Sequence, residues 1–124
     1  MILVDTMIWA DHIDHTDRTM LALLEEGQVA CHPFVIGELA LGNLRDRSLL
    51  RSLDRLPMAE LAFHAEVLSF IGEHRLHGVG IGYVDAHLLA SAQLSDNMQV
   101  WTRDRRLNAT AERLGLAARP ARLQ

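Results

Sequence analysis

The sequence predicts an α/β protein with a mostly parallel central sheet covered on both faces. Three observations predict it. Short apolar runs alternate with longer segments of helical periodicity, the pattern of strand–helix–strand units. The runs are near-continuously apolar, as strands covered on both faces require. The chain has 124 residues, 49% of them hydrophobic, and shows no repeat, linker or low-complexity segment. Residues 1–124 therefore read as one domain with enough apolar surface for a core.

The elements follow in order. Ile2 to Val4 is a buried strand running into Asp5. Thr6 to His15 carries Met7, Ile8 and Trp9 and reads as a helix. Arg18 to Glu26 has a Leu21–Leu24 stripe and stops at Gly27, a helix C-terminal signal. Val29 to Cys31 is a second strand. Pro33 suits a first helical turn, where its missing N–H is not needed, and Phe34 to Leu44 follows as helix. Arg45 to Leu56 is a helix with a charged outer face, closed by Pro57, and Met58 to Leu61 is a weak strand. His64 to His77 places Val67, Leu68 and Ile71 at helical spacing before Gly78. A Gly78–Gly80–Gly82 loop then leads into a helix over Tyr83 to Leu94. Gln99 to Thr102 is a strand, Arg105 to Leu114 a helix ended by Gly115, and Leu116 to Arg119 an edge strand.

Composition narrows the chemistry. All twelve basic residues are arginine, which excludes Schiff-base, P-loop, kinase and pyridoxal catalysis, each of which needs a lysine. The formal charge of −4 argues against coating nucleic acid by bulk attraction, but not against gripping a few phosphates locally. The lone Cys31 can form neither an internal disulfide nor a zinc cluster and reads as a small buried side chain. No apolar run reaches the ~18 residues of a membrane span. The start lacks the basic region and cleavage site of a signal peptide, so the expected location is the cytoplasm.

Four of the sixteen acids break the apolar pattern. Asp5 and Asp104 each follow a strand, at the carboxyl edge where open α/β sheets bind ligands. Glu38, among Phe34, Val35, Leu41 and Gly42, is expected to project from the apolar face of its helix. Asp85 has Leu88, Leu89 and Ala92 ahead of it and lies near a helix start. Carboxylates pushed against an apolar wall are costly, and four together repel. A divalent cation relieves both problems, and all-oxygen ligation suits Mg²⁺ or Mn²⁺. Taken singly, Asp5, Asp85 and Asp104 are equally well read as helix caps or first-turn dipole partners. Glu38, mid-helix, has no capping role to fall back on.

The segments ILVDT, PFVIGELALGN, GIGYVDAHLLASA and VWTRDRRL, in this order, resemble a PIN domain, and more closely the VapC-type toxins of toxin–antitoxin pairs. The resemblance spans essentially the whole chain. It implies a three-layer α/β/α sandwich with the acids gathered at one edge, and a Mg²⁺- or Mn²⁺-dependent endoribonuclease acting on structured RNA such as tRNA or rRNA. Asp5, Glu38, Asp85 and Asp104 fall on the family's acidic quartet, both catalytic and metal-binding, with Thr6 and Thr102 as supporting hydroxyls. The quartet predicts in-line hydrolysis by metal-activated water, with Asp5 and Asp85 as leading ligands, leaving 5′-phosphate and 3′-hydroxyl ends. The resemblance also implies a homodimer held by a cognate VapB-like antitoxin whose C-terminal segment occupies the active-site groove.

Arg103, Arg105 and Arg106 bracket Asp104. Arg103 and Arg105 are candidate substrate-binding residues, since guanidinium binds phosphate bidentately. A solvated helix start is the plainer account of each. The pairs His12–His15 and His74–His77 lack the glutamate of a zinc motif and read as surface histidines. His87, about 200° round the helix from Asp85, points away from it. Trp9 and Trp101 read as buried packing. Two other classes compete: an acidic-pocket phosphatase or receiver-like domain, disfavoured by the missing lysine, and a non-catalytic PIN-like binding module, disfavoured by retention of all four acids.

Overall fold

A computed structural model describes residues 1–120; the last four residues of the expected domain lie outside the described residues. The sheet has three parallel strands in the order β2–β1–β3. β1 (Ile2–Val4) is central, pairing Ile2 with Val29 of β2 (Val29–Ala30) and Leu3 with Val100 of β3 (Gln99–Trp101). Leu3, Val4 and Val100 are completely buried, which is why the strands carry unbroken apolar runs instead of alternation.

Seven helices surround the sheet: α1 (Thr6–Asp14), α2 (Arg18–Glu25), α3 (Pro33–Leu41), α4 (Leu49–Asp54), α5 (His64–Glu73), α6 (Tyr83–Leu94) and α7 (Arg105–Arg113) among the described residues. α1 packs on α3, α3 on α4 and α5 on α6, while β3 is covered by α6 and α7. The core is filled by Leu3, Ile8, Met20, Leu88, Leu89 and Leu107, all fully buried. Every residue of α6 from Ala86 to Ala92 is buried, so this helix is a core element whose N-terminus reaches the sheet's carboxyl edge.

The structure corrects several boundaries. Met58–Leu61 and Leu116–Arg119 are not strands. Each contributes one parallel bridge, Cys31 with Met58 and Val100 with Ala117. After Met58 the chain has no buried alternation to hold it in the sheet, as Leu61 is half exposed. The second segment uses both Val100 ladder bonds, from Val100 N–H to Leu116 and from Ala118 N–H to Val100, and then meets Pro120, which has no N–H to donate. α3 stops at Leu41, not Leu44, with Gly42 as its C-cap. Leu41 is 89% exposed, so burial does not drive another turn. The helix expected from Arg45 begins only at Leu49, because Asp46 Oδ1 accepts the N–H and hydroxyl of Ser48 at 3.0 and 2.6 Å. That local turn competes with helix. α5 ends at Glu73, and the left-handed Arg75 (φ 55°) prevents its continuing to His77.

Since β2 and β3 lie on opposite sides of β1, the winding reverses between β1 and β3. A crevice opens outside the carboxyl ends of strands at such a switch point. Asp5 and Thr102–Asp104 flank it.

Candidate active site

Asp5 leaves the end of β1 as the N-cap of α1 and is 9% exposed. Both of its oxygens are held: Oδ1 accepts the Thr6 N–H at 2.8 Å, and Oδ2 accepts the Thr102 hydroxyl at 2.6 Å. Asp5 N–H also donates to the Trp101 carbonyl at 3.0 Å, which fixes β1 and β3 in register at the crevice. Thr102 has a second task. Its Oγ1 accepts the Asp104 N–H at 3.0 Å, so one buried hydroxyl links Asp5 to the backbone of Asp104. A hydroxyl accepting the N–H two residues on is a local turn motif. The T-x-D spacing of Thr102 and Asp104 carries that signal, beyond the mere closeness of the two residues.

Asp104 is the N-cap of α7, its Oδ1 accepting the Leu107 N–H at 2.9 Å. Asp85 occupies the first turn of α6, with Oδ2 accepting the Gly82 N–H at 3.2 Å. Thr6 lies in the first turn of α1 and donates its hydroxyl to Glu38 Oε1 at 2.6 Å. Glu38 is therefore drawn towards Asp5 through Thr6, but not as expected. It is exposed, because the flank of α3 carrying Leu41 faces solvent and not the core. Its carboxylate reaches the crevice from outside.

The charges of the other three acids all act on Asp85. Burial raises the pKa of Asp85; the Gly82 hydrogen bond opposes this, and the charges of Asp5, Asp104 and Glu38 raise it further. Among the described residues no arginine forms an ion pair with any of the four. The result is a group of hard oxygen donors held by hydrogen bonds and, among the described residues, not neutralised by an ion pair. Among the described residues, no three carboxylate, imidazole or thiol groups stand in a ready-made ligand cage. This open arrangement, with oxygens as its only donors, fits an ion that keeps several of its waters and takes one or two carboxylates directly, the habit of Mg²⁺. A groove of about 730 Å³ opens beside Thr6 and Glu38 and runs past Ile13, Leu44 and Arg45.

The arginines divide. Arg103 is committed to Asp11 at 2.8 Å and Asp17 at 2.7 Å, and its guanidinium lies 5.8 Å from the Trp101 ring centre. Asp17 caps α2 and anchors this clamp; the Met20 N–H, with Arg103 adding to it, holds its pKa low. Arg105 is exposed and has no ion pair among the described residues. Elsewhere the plainer readings hold. His87 is buried, and its Nε2 meets the Tyr83 hydroxyl at 3.0 Å. Cys31 is buried with its thiol pushed up to about 11 by desolvation. His12 departs from the surface reading: it is half-buried, and its Nδ1 accepts the Asp17 N–H at 2.9 Å. Trp9 and Trp101 are buried.

A parallel sheet with acids from three helix N-termini at its switch point defines the class, and the PIN domain family matches residues 2–113. The chain belongs to that family. Over 121 residues it is 43% identical to Ribonuclease VapC32 of Mycobacterium tuberculosis, covering 94% of this chain and 95% of that protein. Among solved structures, FitAcB from Neisseria gonorrhoeae superposes with a TM-score of 0.61 at 21% identity, over 90% of this chain and 94% of that one. PAE2754 from Pyrobaculum aerophilum gives 0.58 at 20% identity, over 98% and 90%. At such identities these two structures speak for the fold. Among the described residues no helix is long and apolar enough to cross a membrane.

Proposed function

We propose that the chain is a Mg²⁺- or Mn²⁺-dependent endoribonuclease, the toxin of a toxin–antitoxin pair, acting on structured RNA such as tRNA or rRNA. The observation that carries this is geometric: Thr6 and Thr102 fix both oxygens of Asp5, the same Thr102 hydroxyl takes the Asp104 N–H, and Thr6 ties Glu38 to the same strand end, with the charges of these acids acting on the half-buried Asp85. The likeness to Ribonuclease VapC32 supports the same reading.

Asp5 and Asp85 would hold the ion, with Glu38 and Asp104 acting through water. A divalent ion so placed supplies Lewis-acid polarisation of a phosphoryl oxygen and lowers the pKa of a water. The chain's own part is positioning. Thr102 and the Thr6 N–H fix both oxygens of Asp5, and Thr6 holds Glu38 at the rim. The capping bonds of Asp85 and Asp104 leave each carboxylate one further oxygen to offer.

The groove beside Thr6 and Glu38 would receive the C-terminal segment of a VapB-like antitoxin, whose basic residues the acidic pocket attracts. The same fold occurs in FitAB bound to an IR36 DNA fragment, at a TM-score of 0.62 and 20% identity. A homodimer, a single domain over residues 1–124 and a cytoplasmic location complete the proposal.

The test is cleavage of RNA and of matched single-stranded DNA by the wild type, Asp5→Asn and Asp85→Asn, with Mg²⁺ or Mn²⁺ and with chelator. Only the metal-loaded wild type should cut, and only RNA. Equal cleavage by the variants, or activity surviving chelation, would defeat the assignment.

A further inference from the structure

We infer that Arg106, resting on the bare backbone of Gly80, is the phosphate-gripping residue at the rim of this site. The inference rests on the nuclease reading. Arg106 lies in the first turn of α7, two residues past Asp104, and its side chain lies flat across Gly80. A Cβ on Gly80 would stand 2.7 Å from both Cδ and Nη1 of Arg106, and 3.1 Å from Nε. Gly80 has φ +87°, a left-handed conformation that side chains rarely adopt. The backbone conformation keeps this position bare, and the end of the Arg106 side chain occupies the space so left.

The contact spans the crevice. Gly80 precedes Gly82, whose N–H holds Asp85, while Arg106 follows Asp104. The arginine thus bridges the two backbone segments that present Asp85 and Asp104. Its charge is otherwise unexplained. An arginine in a first helical turn opposes the helix dipole. Among the described residues Arg106 has no ion pair. Arg103 cannot take its place while Asp11 and Asp17 occupy it. An exposed guanidinium that rests on bare glycine and has no ion pair among the described residues is available for the bidentate hydrogen bonding that phosphate accepts. It would hold a phosphate flanking the scissile one.

The experiment measures cleavage of end-labelled bulk tRNA in Mg²⁺ or Mn²⁺ by wild type, Arg106→Gln, Arg106→Lys and Arg103→Gln between about 50 and 200 mM salt. Arg106→Gln should raise KM about tenfold with kcat within about twofold, the loss of one charge-assisted contact. The slope of log(kcat/KM) against log[salt] should shrink by about 0.7–0.9, one phosphate's worth. Arg106→Lys should restore the slope but only part of KM, because it keeps the charge and loses the fork. Arg103→Gln should lower the melting temperature by a few degrees and leave the slope unchanged. If Arg106→Gln keeps the wild-type KM and slope while the wild type cleaves, the Arg106 assignment is overturned alone. A wild type that cuts no RNA overturns the nuclease reading and this inference with it.

Discussion

Replacing Thr102 with valine keeps the side chain's shape and deletes one buried hydroxyl, and two site residues depend on that hydroxyl. It donates to Asp5 Oδ2 at 2.6 Å and accepts the Asp104 N–H at 3.0 Å, and Thr102 itself is only 6% exposed. A hydrogen bond to a charged group contributes about 1.5–3 kcal/mol, and leaving a part-buried N–H without its acceptor costs about 1 kcal/mol more. The expected destabilisation of Thr102→Val is therefore about 3 kcal/mol. For 124 residues the unfolding entropy is about 0.26 kcal/mol/K, which converts that loss to roughly 11 °C in Tm.

Activity should fall further than stability alone explains. Freed at Oδ2, Asp5 can rotate about its remaining bond to the Thr6 N–H. Loss of a residue that orients a metal ligand typically costs about 10- to 100-fold in affinity or rate. Thr102→Ser, which keeps the hydroxyl, should recover most of both. Urea unfolding and RNA cleavage, measured at a temperature where all three proteins are folded, check the pair. A Thr102→Val protein within about 0.5 kcal/mol of wild type, or a serine variant no better than valine, would refute the reasoning.

Asp85→Asn should abolish cleavage yet raise Tm at pH 7 in metal-free buffer. The folded-state pKa lies above the ordinary aspartate value of 3.8, so ionised Asp85 lowers stability at neutral pH and stops doing so as the pH falls through its folded value towards 3.8. The gain should shrink on acidification, and Mg²⁺ should stabilise the wild type more than the variant; an equal or lower Tm at pH 7 counts against the carboxylate cluster. Asp104→Ala should cost about 1 kcal/mol through loss of the α7 cap, whereas Asp104→Asn, an equally good cap, should melt like wild type. Both should be inactive, and chemical denaturation beside cleavage assays separates the roles. Burial, with His87 adding to it, lowers the pKa of His32 from 6.5 to about 4. Because the unfolded chain binds that proton first, about 3 kcal/mol of stability should be lost between pH 7 and pH 4. NMR should show the His32 imidazole neutral at pH 5; titration near 6.5 would contradict it.

Much of this architecture was legible in the residues. The runs Ile2–Val4 and Gln99–Trp101 mark two of the strands because both of their faces are covered. Gly27 and Pro33 punctuate helices for local steric reasons that hold in any context. Asp5 and Asp104 could be placed at one sheet edge as soon as the strands were taken as parallel. The misses share a cause, since each depends on which neighbour a segment meets. Pattern alone could not show that Met58 and Ala117 each make only one bridge, or that Asp46 would spend its carboxylate on Ser48. Nor could it show that Glu38 stands among apolar residues on a flank of α3 that faces water. The division of the arginines was equally hidden. Arg103 and Arg106 are three residues apart in one basic run, and only the fold gives Asp11 and Asp17 to the first and bare glycine to the second.

The capping role of these acids and the catalytic role proposed for them are compatible. Asp5 and Asp104 accept N–H groups at the first turns of α1 and α7, and Asp85 accepts the Gly82 N–H at the start of α6. A cap needs an acceptor beside the positive end of a helix, and that end is what makes a second carboxylate nearby tolerable. Three helix N-termini converging at the switch point therefore offset part of the mutual repulsion before any ion arrives. Each bond engages a single oxygen, so capping does not consume the carboxylate. Glu38 has no such support from its own helix, and Thr6 supplies a hydrogen bond in its place. The positioning of the charge and the stability of the helices thus come from the same bonds. For that reason, asparagine rather than alanine is the substitution expected to remove the proposed chemistry while keeping the fold at Asp104.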